Sequence, residues 1–327
     1  MIIDTHAHFT PQAMLDALLK DAGRFPSVET LHEDGHYKLA FNGGAPTRPI
    51  SPKLRESDAR LGWMDQCSID AQVVGGWLDS FGYELPAEEG AAWSRFLNEH
   101  LMTGTDGEAR LTPLASVPLQ SGKLAAEVLQ EAMNAGFVGA MIGTQPHATS
   151  GSLDDPDLDP FWEAASSLGA VLYLPPMFGC GDPRLLDFEL INAAGRGIDT
   201  TIAISRLLFS GHFLKYPGFK FVLSHGGGAI PYMLGRLARN HDLHPDGTAD
   251  PLAGFKTLYF DSVLFEAEAL KFLAALAGPE RIMLGSDYPF PIGDPDPCGI
   301  VHRCGFEDGA ANAILGDTAA GVFKIEE

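Results

Sequence analysis

The chain begins with the stretch MIIDTHAH, residues 1–8, in which a short apolar run leads directly into His6 and His8. A β-strand points alternate side chains to the same face, so two histidines one residue apart converge from one strand end. Imidazole is a common metal ligand, and the spacing therefore predicts that both rings bind one metal ion. Taken alone, two histidines at this spacing are more often surface residues, so the prediction needs support from elsewhere in the chain.

Two later segments place a histidine or an aspartate at the same kind of position. His225 follows an apolar run in LSHGGG, residues 223–228, and Asp287 follows another in LGSDYP, residues 284–289. Residues that follow parallel strands meet at one end of a barrel, where active sites are built. We therefore expect His6, His8, His225 and Asp287 to meet at one mouth.

Short β-rich apolar runs alternate with helical patterns along the whole chain. Eight runs are predicted to be strands: 2–4, 71–75, 111–117, 139–142, 171–174, 220–223, 258–260 and 282–285. Eight strands that alternate with helices are typical of an α/β protein with a (β/α)8 TIM barrel. The alternative, a doubly wound open sheet, usually has a glycine-rich loop after its first strand, and here that position holds His6 and His8.

One segment interrupts this alternation, at about residues 25–53. It contains the strand-like runs VETL, residues 28–31, and YKLAF, residues 37–41, with the polar turn EDG between them. This pattern predicts a β-hairpin inserted after the first barrel strand, with prolines leading the chain back to the barrel. We therefore expect one barrel domain over residues 1–327 with one small β insertion.

The composition disfavours several classes of partner. Lysine and arginine total 22 against 43 aspartate and glutamate, and the net charge of −21 opposes binding to nucleic acid or to an anionic membrane. We find no long uncharged apolar run and no leader-like start, so we expect a cytoplasmic protein without a membrane span. The four cysteines are scattered through the chain and are expected to be reduced thiols.

Three motifs together resemble a known family. The stretches DTHAHF, SRLLFSGHFLKYPGFKFVLSHGGGAIPYMLGR and RIMLGSDYPFPIG are similar to the amidohydrolase superfamily (amidohydrolase-related family 2). The resemblance is to its aminocarboxymuconate-semialdehyde decarboxylase and γ-resorcylate decarboxylase branch. It implies that His6 and His8 are metal ligands, that Asp287 is a ligand and an acid or base, and that His225 is a general acid or base. It also implies a homodimer and a divalent ion, most commonly zinc or manganese.

One position departs from the family pattern. Relatives usually have a metal-binding His-Pro pair at the end of strand five, and this chain has Pro175 where the histidine belongs. Three outcomes remain open. His6, His8 and Asp287 alone form a sufficient set for a catalytic metal, which is the interpretation we favour; His147 substitutes for the missing ligand; or the site is metal-free.

Two arginines are candidates for binding a substrate carboxylate in this acidic chain. Arg60 lies in SDARLGWMD, residues 57–65, which resembles the family segment whose arginine grips the substrate, and Arg236 matches a position that reaches a neighbouring subunit's site. A guanidinium binds a carboxylate through two parallel hydrogen bonds. The alternative for each residue is an ordinary surface ion pair.

The function expected from these features is metal-dependent, non-oxidative decarboxylation of a small carboxylated aromatic or unsaturated acid. In that hypothesis Asp287 or His225 delivers a proton to carbon while carbon dioxide leaves. Two alternatives remain. The same groups can activate water in a hydrolase of a lactone, amide or C–C bond, and Pro175 is consistent with a metal-free or non-catalytic binder.

Overall fold

The computed structural model describes residues 1–148 and 150–326 as a closed barrel of parallel strands. The barrel strands are β1 Ile3–His8, β4 Ala71–Gly75, β5 Leu111–Pro113, β6 Gly139–Met141, β7 Val171–Leu174, β8 Lys220–Leu223, β9 Leu258–Asp261 and β10 Ile282–Met283. They hydrogen-bond in the orders β1-β4-β5 and β10-β9-β8-β7-β6. Parallel bridges from Ala115 to Ala140 and from Ala7 to Tyr288 join the two sheets, so the predicted (β/α)8 barrel is confirmed.

Helices surround the barrel and make the crossovers that parallel strands require. They are α1 Gln12–Lys20, α2 Pro52–Arg55, α3 Ser57–Gln66, α4 Ala87–Thr105, α5 Gly122–Asn134, α6 Asp159–Leu168, α7 Arg196–Phe209, α8 His212–Lys215, α9 Ile230–Leu243, α10 Pro251–Phe255, α11 Ala267–Ala277, α12 Pro297–Cys304, α13 Asp308–Asn312 and α14 Thr318–Phe323. No helix within the described residues is long and apolar enough to cross a membrane.

Helix α5 shows why the sequence forms these crossovers. Its buried residues include Ala125, Val128, Leu129 and Ala132, a spacing of three and four residues that places them on one helical face. Ser121 caps the helix by accepting a hydrogen bond from the backbone N–H of Leu124. The apolar face covers the barrel strands, which are therefore buried on both sides, as parallel strands covered by helices must be.

The hairpin lies within residues 25–53, where the sequence predicts it. Strands β2 Val28–Glu33 and β3 His36–Phe41 pair antiparallel. Asp34 and Gly35 both have positive φ, at 50° and 78°, which fits the two-residue turn that matches strand twist. The hairpin does not follow β1 directly, because α1 lies between them. Its apolar side chains pack against α1 and α4 in a second core cluster beside the barrel.

The first, third and last barrel strands differ most from their predicted lengths, and β5 ends at Pro113 rather than at residue 117. Strand β1 extends to His8 rather than ending at residue 4, so both of its histidines lie within the strand. Strand β10 ends at Met283, because the backbone N–H of Leu284 donates to Ile314 while its carbonyl accepts from Thr5. These bonds bring the segment after β10 against β1, and Asp287 therefore lies next to the two histidines.

Candidate metal centre and active site

Four side chains from three strand ends meet at the mouth of the barrel. His6 and His8 come from β1, His225 follows β8 and Asp287 follows β10. Oδ1 of Asp287 lies 3.4 Å from Nε2 of His6 and 3.4 Å from Nε2 of His8, and its Oδ2 lies 3.6 Å from Nε2 of His225. The structure thus brings together the four residues that the strand-end positions predict.

The spacing of His6, His8 and Asp287 fits three ligands of one metal ion. One donor atom from each residue lies within 4.8 Å of the other two, and all three residues are buried. Metal–ligand bonds of about 2.1 Å at roughly tetrahedral angles separate neighbouring ligand atoms by about 3.4 Å. The two 3.4 Å separations therefore match shared coordination better than direct hydrogen bonds, which are shorter.

The outer nitrogens of both rings are held by the protein. Nδ1 of His6 lies 2.7 Å from Oδ2 of Asp261, and Nδ1 of His8 lies 3.0 Å from the carbonyl oxygen of Gly76. Both Nε2 atoms are buried and have no hydrogen-bond partner among the described residues. A metal-binding histidine usually donates its other N–H to an oxygen in this way. The orphaned nitrogens therefore fit a metal ion.

Asp261 is a site residue that the sequence analysis did not identify. Its Oδ2 accepts from Tyr173 at 3.0 Å as well as facing His6, and its Oδ1 accepts from the backbone N–H groups of Gly226 and Val263 at 3.0 and 3.1 Å. The carboxylate is thereby fixed at the end of β9. The signal was available, because an aspartate directly follows the apolar run 258–260.

Charge interactions at the centre favour ionised Asp287. Burial alone raises the pKa of this carboxyl, but the attraction of His6 and the close approach of His225 and His8 hold the pKa well below its usual range. Burial opposes protonation of His6 too, but Asp287 and Asp261 outweigh it and raise the pKa of His6. Burial is the largest influence on His8 and lowers the pKa of that ring.

His225 and Asp287 both have left-handed backbone conformations, with φ of 51° and 60°. Such conformations cost about 1–3 kcal/mol for a residue other than glycine, and they cluster at functional sites. Gly226, Gly227 and Gly228 follow His225 with φ of 60°, 80° and 61°. The glycines let the chain turn sharply after β8, so that the imidazole of His225 faces the mouth.

The structure places Arg60 beneath the site rather than in it, which corrects the expectation that it grips a substrate. Its side chain is 0% exposed, and its guanidinium donates to Gln72 at 2.6 Å and to the carbonyl oxygen of His8. Gln72 in turn donates to Asp4 at 2.7 Å. Arg60 therefore supports the backbone of β1, because α3 turns this side chain toward the barrel.

A cavity of about 260 Å³ opens above the metal-ligand set. It is lined by His6, His8, Arg48, Leu78, Pro175, Pro176, Asn192, Arg196, His225, Asp287, Phe290, Pro291 and Ile292. Pro175 thus lies at the site and offers no side-chain atom that could bind a metal. His147 is exposed on the loop after β6 and is not among the lining residues, so the structure does not favour it as a substitute ligand.

Two arginines that the sequence analysis did not identify line this cavity. Arg48 lies on the segment that returns from the hairpin, and Arg196 is the first residue of α7. Arg236 is exposed on α9 and does not line the cavity of its own chain. No motif around Arg48 or Arg196 indicated a role, since both reach the mouth only through the tertiary fold.

The comparisons with known proteins agree with this architecture. The amidohydrolase family model matches residues 3–325. The 2-amino-3-carboxymuconate-6-semialdehyde decarboxylase of Dictyostelium discoideum is 28% identical over 97% of this chain and 90% of its own. The γ-resorcylate decarboxylase of Rhodococcus jostii is 32% identical over 81% of this chain and 86% of its own.

A solved structure shows the same fold. The dihydroxybenzoic acid decarboxylase from Polaromonas sp. JS666, with bound manganese and the inhibitor 2-nitroresorcinol, superposes with a TM-score of 0.78 at 21% identity, covering 100% of this chain and 97% of its own. The family match spans nearly every residue, and it includes all four side chains at the mouth. The chain therefore belongs to the amidohydrolase family.

Proposed function

We propose that this protein is a metal-dependent, non-oxidative decarboxylase, a carbon–carbon lyase that acts on a small carboxylated aromatic or unsaturated acid. The observation that carries the proposal is the buried set of His6, His8 and Asp287, with both histidines oriented through Nδ1 and both Nε2 atoms free. The names of the relatives support the reaction class, because the Dictyostelium and Rhodococcus proteins are both decarboxylases.

His6, His8 and Asp287 would hold one divalent ion, with zinc our first choice and manganese the second. Two histidines and one carboxylate suit catalytic zinc and related divalent ions, and the Polaromonas relative carries manganese. When bound, the ion supplies positive charge that polarises the substrate's oxygen atoms. Pro175 leaves this chain with one protein ligand fewer than the family pattern, so we expect weaker metal binding than in a relative with the histidine.

We infer that His225 carries the proton. Its side chain lines the cavity and is 26% exposed, whereas the side chain of Asp287 is 10% exposed and faces three imidazoles. In the reaction His225 gives its proton to the ring or alkene carbon that bears the carboxylate. The π electrons of the ring or alkene form this new C–H bond; the C–C bond then breaks, its electron pair restores the π system, and neutral carbon dioxide leaves. Imidazole suits this role because it exchanges protons near neutral pH.

The exposed faces of α7 and α9 support a homodimer. Ile198, Ile202 and Tyr232 are apolar or aromatic side chains that are 43%, 48% and 86% exposed. Arg236 follows Tyr232 by one helical turn and so lies on the same face of α9. A second copy covering these faces would bury the apolar side chains and bring Arg236 to an interface. Light scattering after size-exclusion chromatography tests the dimer.

Product analysis tests the proposed reaction. The protein is loaded with zinc or manganese and incubated in D2O with a panel of carboxylated aromatic and unsaturated acids. Decarboxylation yields one carbon dioxide per turnover and one deuterium at the carbon that carried the carboxylate. A hydrolase instead gives a product carrying oxygen from water and no gas.

Two variants serve as matched controls in the same assay. His225→Asn removes the proposed proton donor, whereas His147→Asn changes an exposed histidine outside the cavity and should leave turnover unchanged. Activity that survives complete removal of the metal by a chelator contradicts the metal-dependent proposal and favours the metal-free alternative.

A further inference from the structure

Two arginines line the cavity, and within the described part of the chain only one of them forms an ion pair with a carboxylate. Arg48 forms a bidentate pair with Asp79, from Nε at 3.1 Å and from Nη2 at 3.0 Å. The carboxylate of Asp79 is largely buried, while the side chain of Arg48 is 57% exposed. A bidentate arginine–carboxylate pair satisfies both charges. The positive charge of Arg48 is therefore already offset within the protein.

Arg196 has no such partner. Its Nη1 donates to the carbonyl oxygen of Pro176 at 3.2 Å, and its Nε is buried without any hydrogen-bond partner among the described residues. Asp199, one helical turn further along α7, does not engage it. The oxygens of Asp199 accept instead from the hydroxyl of Thr144, from Gln145 at 2.7 Å and from the backbone N–H of Met177 at 3.3 Å.

The surroundings make this unpaired cation costly. Burial lowers the pKa of Arg196, and the nearby Arg48 lowers it further, although Asp79, Asp287 and Asp199 act in the opposite direction. Arg196 is half-buried, and a buried donor such as its Nε costs free energy unless an acceptor satisfies it. The side chain also lines a second lobe of about 190 Å³, beside Gly228, Val263 and Phe265. An anion in either lobe can reach it.

We propose that Arg196 binds a second anionic group of the substrate, one that the product retains, so that the preferred substrate is a dicarboxylate or a comparable dianion. A metal ion held by His6, His8 and Asp287 and the guanidinium of Arg196 would then be two separate positive charges on one cavity. This inference rests on the proposed function for its account of the leaving group, but the binding it describes is measured without turnover.

The chemistry of decarboxylation determines which carboxylate the arginine holds. The leaving carboxylate loses its negative charge as the C–C bond breaks and neutral carbon dioxide forms. A strong bidentate bond to that group would stabilise the ground state more than the transition state and would slow the reaction. A retained carboxylate keeps its charge throughout, so binding it through Arg196 positions the substrate without opposing the chemistry.

Ligand binding to the metal-loaded protein tests the proposal. The probes are benzoate and the three benzenedicarboxylates, which share one ring and differ only in the second carboxylate and its position. Isothermal titration gives the Kd of each for the native protein and for Arg196→Gln, Arg196→Lys and Arg206→Gln. Arg206 lies on the same helix and pairs with Asp154 at the surface, so Arg206→Gln removes the same charge away from the cavity.

We expect at least one dicarboxylate to bind the native protein roughly 10- to 100-fold more tightly than benzoate, the range for hydrogen bonds to a charged group. Arg196→Gln should abolish that preference and leave benzoate binding nearly unchanged. Arg196→Lys should keep part of the preference, because lysine retains the positive charge but cannot form two parallel hydrogen bonds to a carboxylate. Arg206→Gln should behave like the native protein.

Three results would overturn the proposal. Either no dicarboxylate binds the native protein more tightly than benzoate, or the preference for a dicarboxylate remains in Arg196→Gln. The third is that Arg196→Gln weakens the binding of benzoate as much as the binding of the dicarboxylates. The last result would mean that Arg196 holds a lone carboxylate. Failure of the proposed function has a different signature, namely a protein that prefers dicarboxylates through Arg196 but releases no carbon dioxide from any acid in the panel.

Discussion

Replacing Asp261 with asparagine should weaken metal binding by His6, a proposed ligand, while leaving the imidazole of His6 in place. The carboxylate holds Nδ1 of His6 through Oδ2 and two backbone N–H groups through Oδ1. In Asp261→Asn the amide oxygen can keep the two backbone hydrogen bonds. The amide nitrogen then replaces Oδ2 and is itself a donor, so it cannot accept a hydrogen bond from Nδ1 of His6.

His6 should respond by changing its tautomer. With a donor facing Nδ1, that nitrogen becomes the acceptor and the proton moves to Nε2, where the lone pair is needed for the metal. Loss of such an orienting partner typically costs 10- to 100-fold in metal affinity. We therefore expect the metal Kd to rise by roughly that factor, which corresponds to about 1.4–2.7 kcal/mol.

The assay is competition between the protein and a chromophoric chelator for zinc and for manganese, with metal content measured on the same samples. Tyr173→Phe is the matched control, because it removes one hydrogen bond to the same oxygen but leaves the carboxylate and its bond to His6. It should cost about 1 kcal/mol of stability and leave the metal Kd within about threefold of native. If Asp261→Asn also stays within threefold, then Asp261 does not control His6, or His6 is not a ligand.

Three further substitutions test other parts of the site. Turnover of His225→Asn should fall by roughly 100-fold or more with metal content retained; lost metal would make His225 a ligand that compensates for Pro175. Pro175→His should tighten metal binding by about tenfold, or about 1.4 kcal/mol, since the added imidazole faces the cavity, and an unchanged affinity would refute that geometry. Arg60→Met should lower the free energy of unfolding by about 3 kcal/mol, measured by urea denaturation. A large rise in KM with unchanged stability would instead restore Arg60 as a substrate-binding residue.

Local sequence patterns were sufficient to predict the barrel and the metal-ligand candidates. The two-residue period of a strand places His6 and His8 on one face, and this depends only on neighbouring residues. The rule that parallel strands end at one mouth then adds His225 and Asp287. The position of Pro175 also follows from the strand pattern, and the structure places it at the cavity.

The arginines show what the sequence could not determine. A helical residue faces the core or the solvent according to how the whole helix packs, and α3 turns Arg60 into the barrel while α9 leaves Arg236 exposed. Arg48 reaches the mouth from an insertion and Arg196 from the start of α7, and no spacing rule relates these segments. The two-residue period of a strand can be recognised in the sequence. Whether an arginine forms an ion pair with a carboxylate depends instead on contacts between distant elements. Only the tertiary structure therefore showed which arginine is free to bind a ligand.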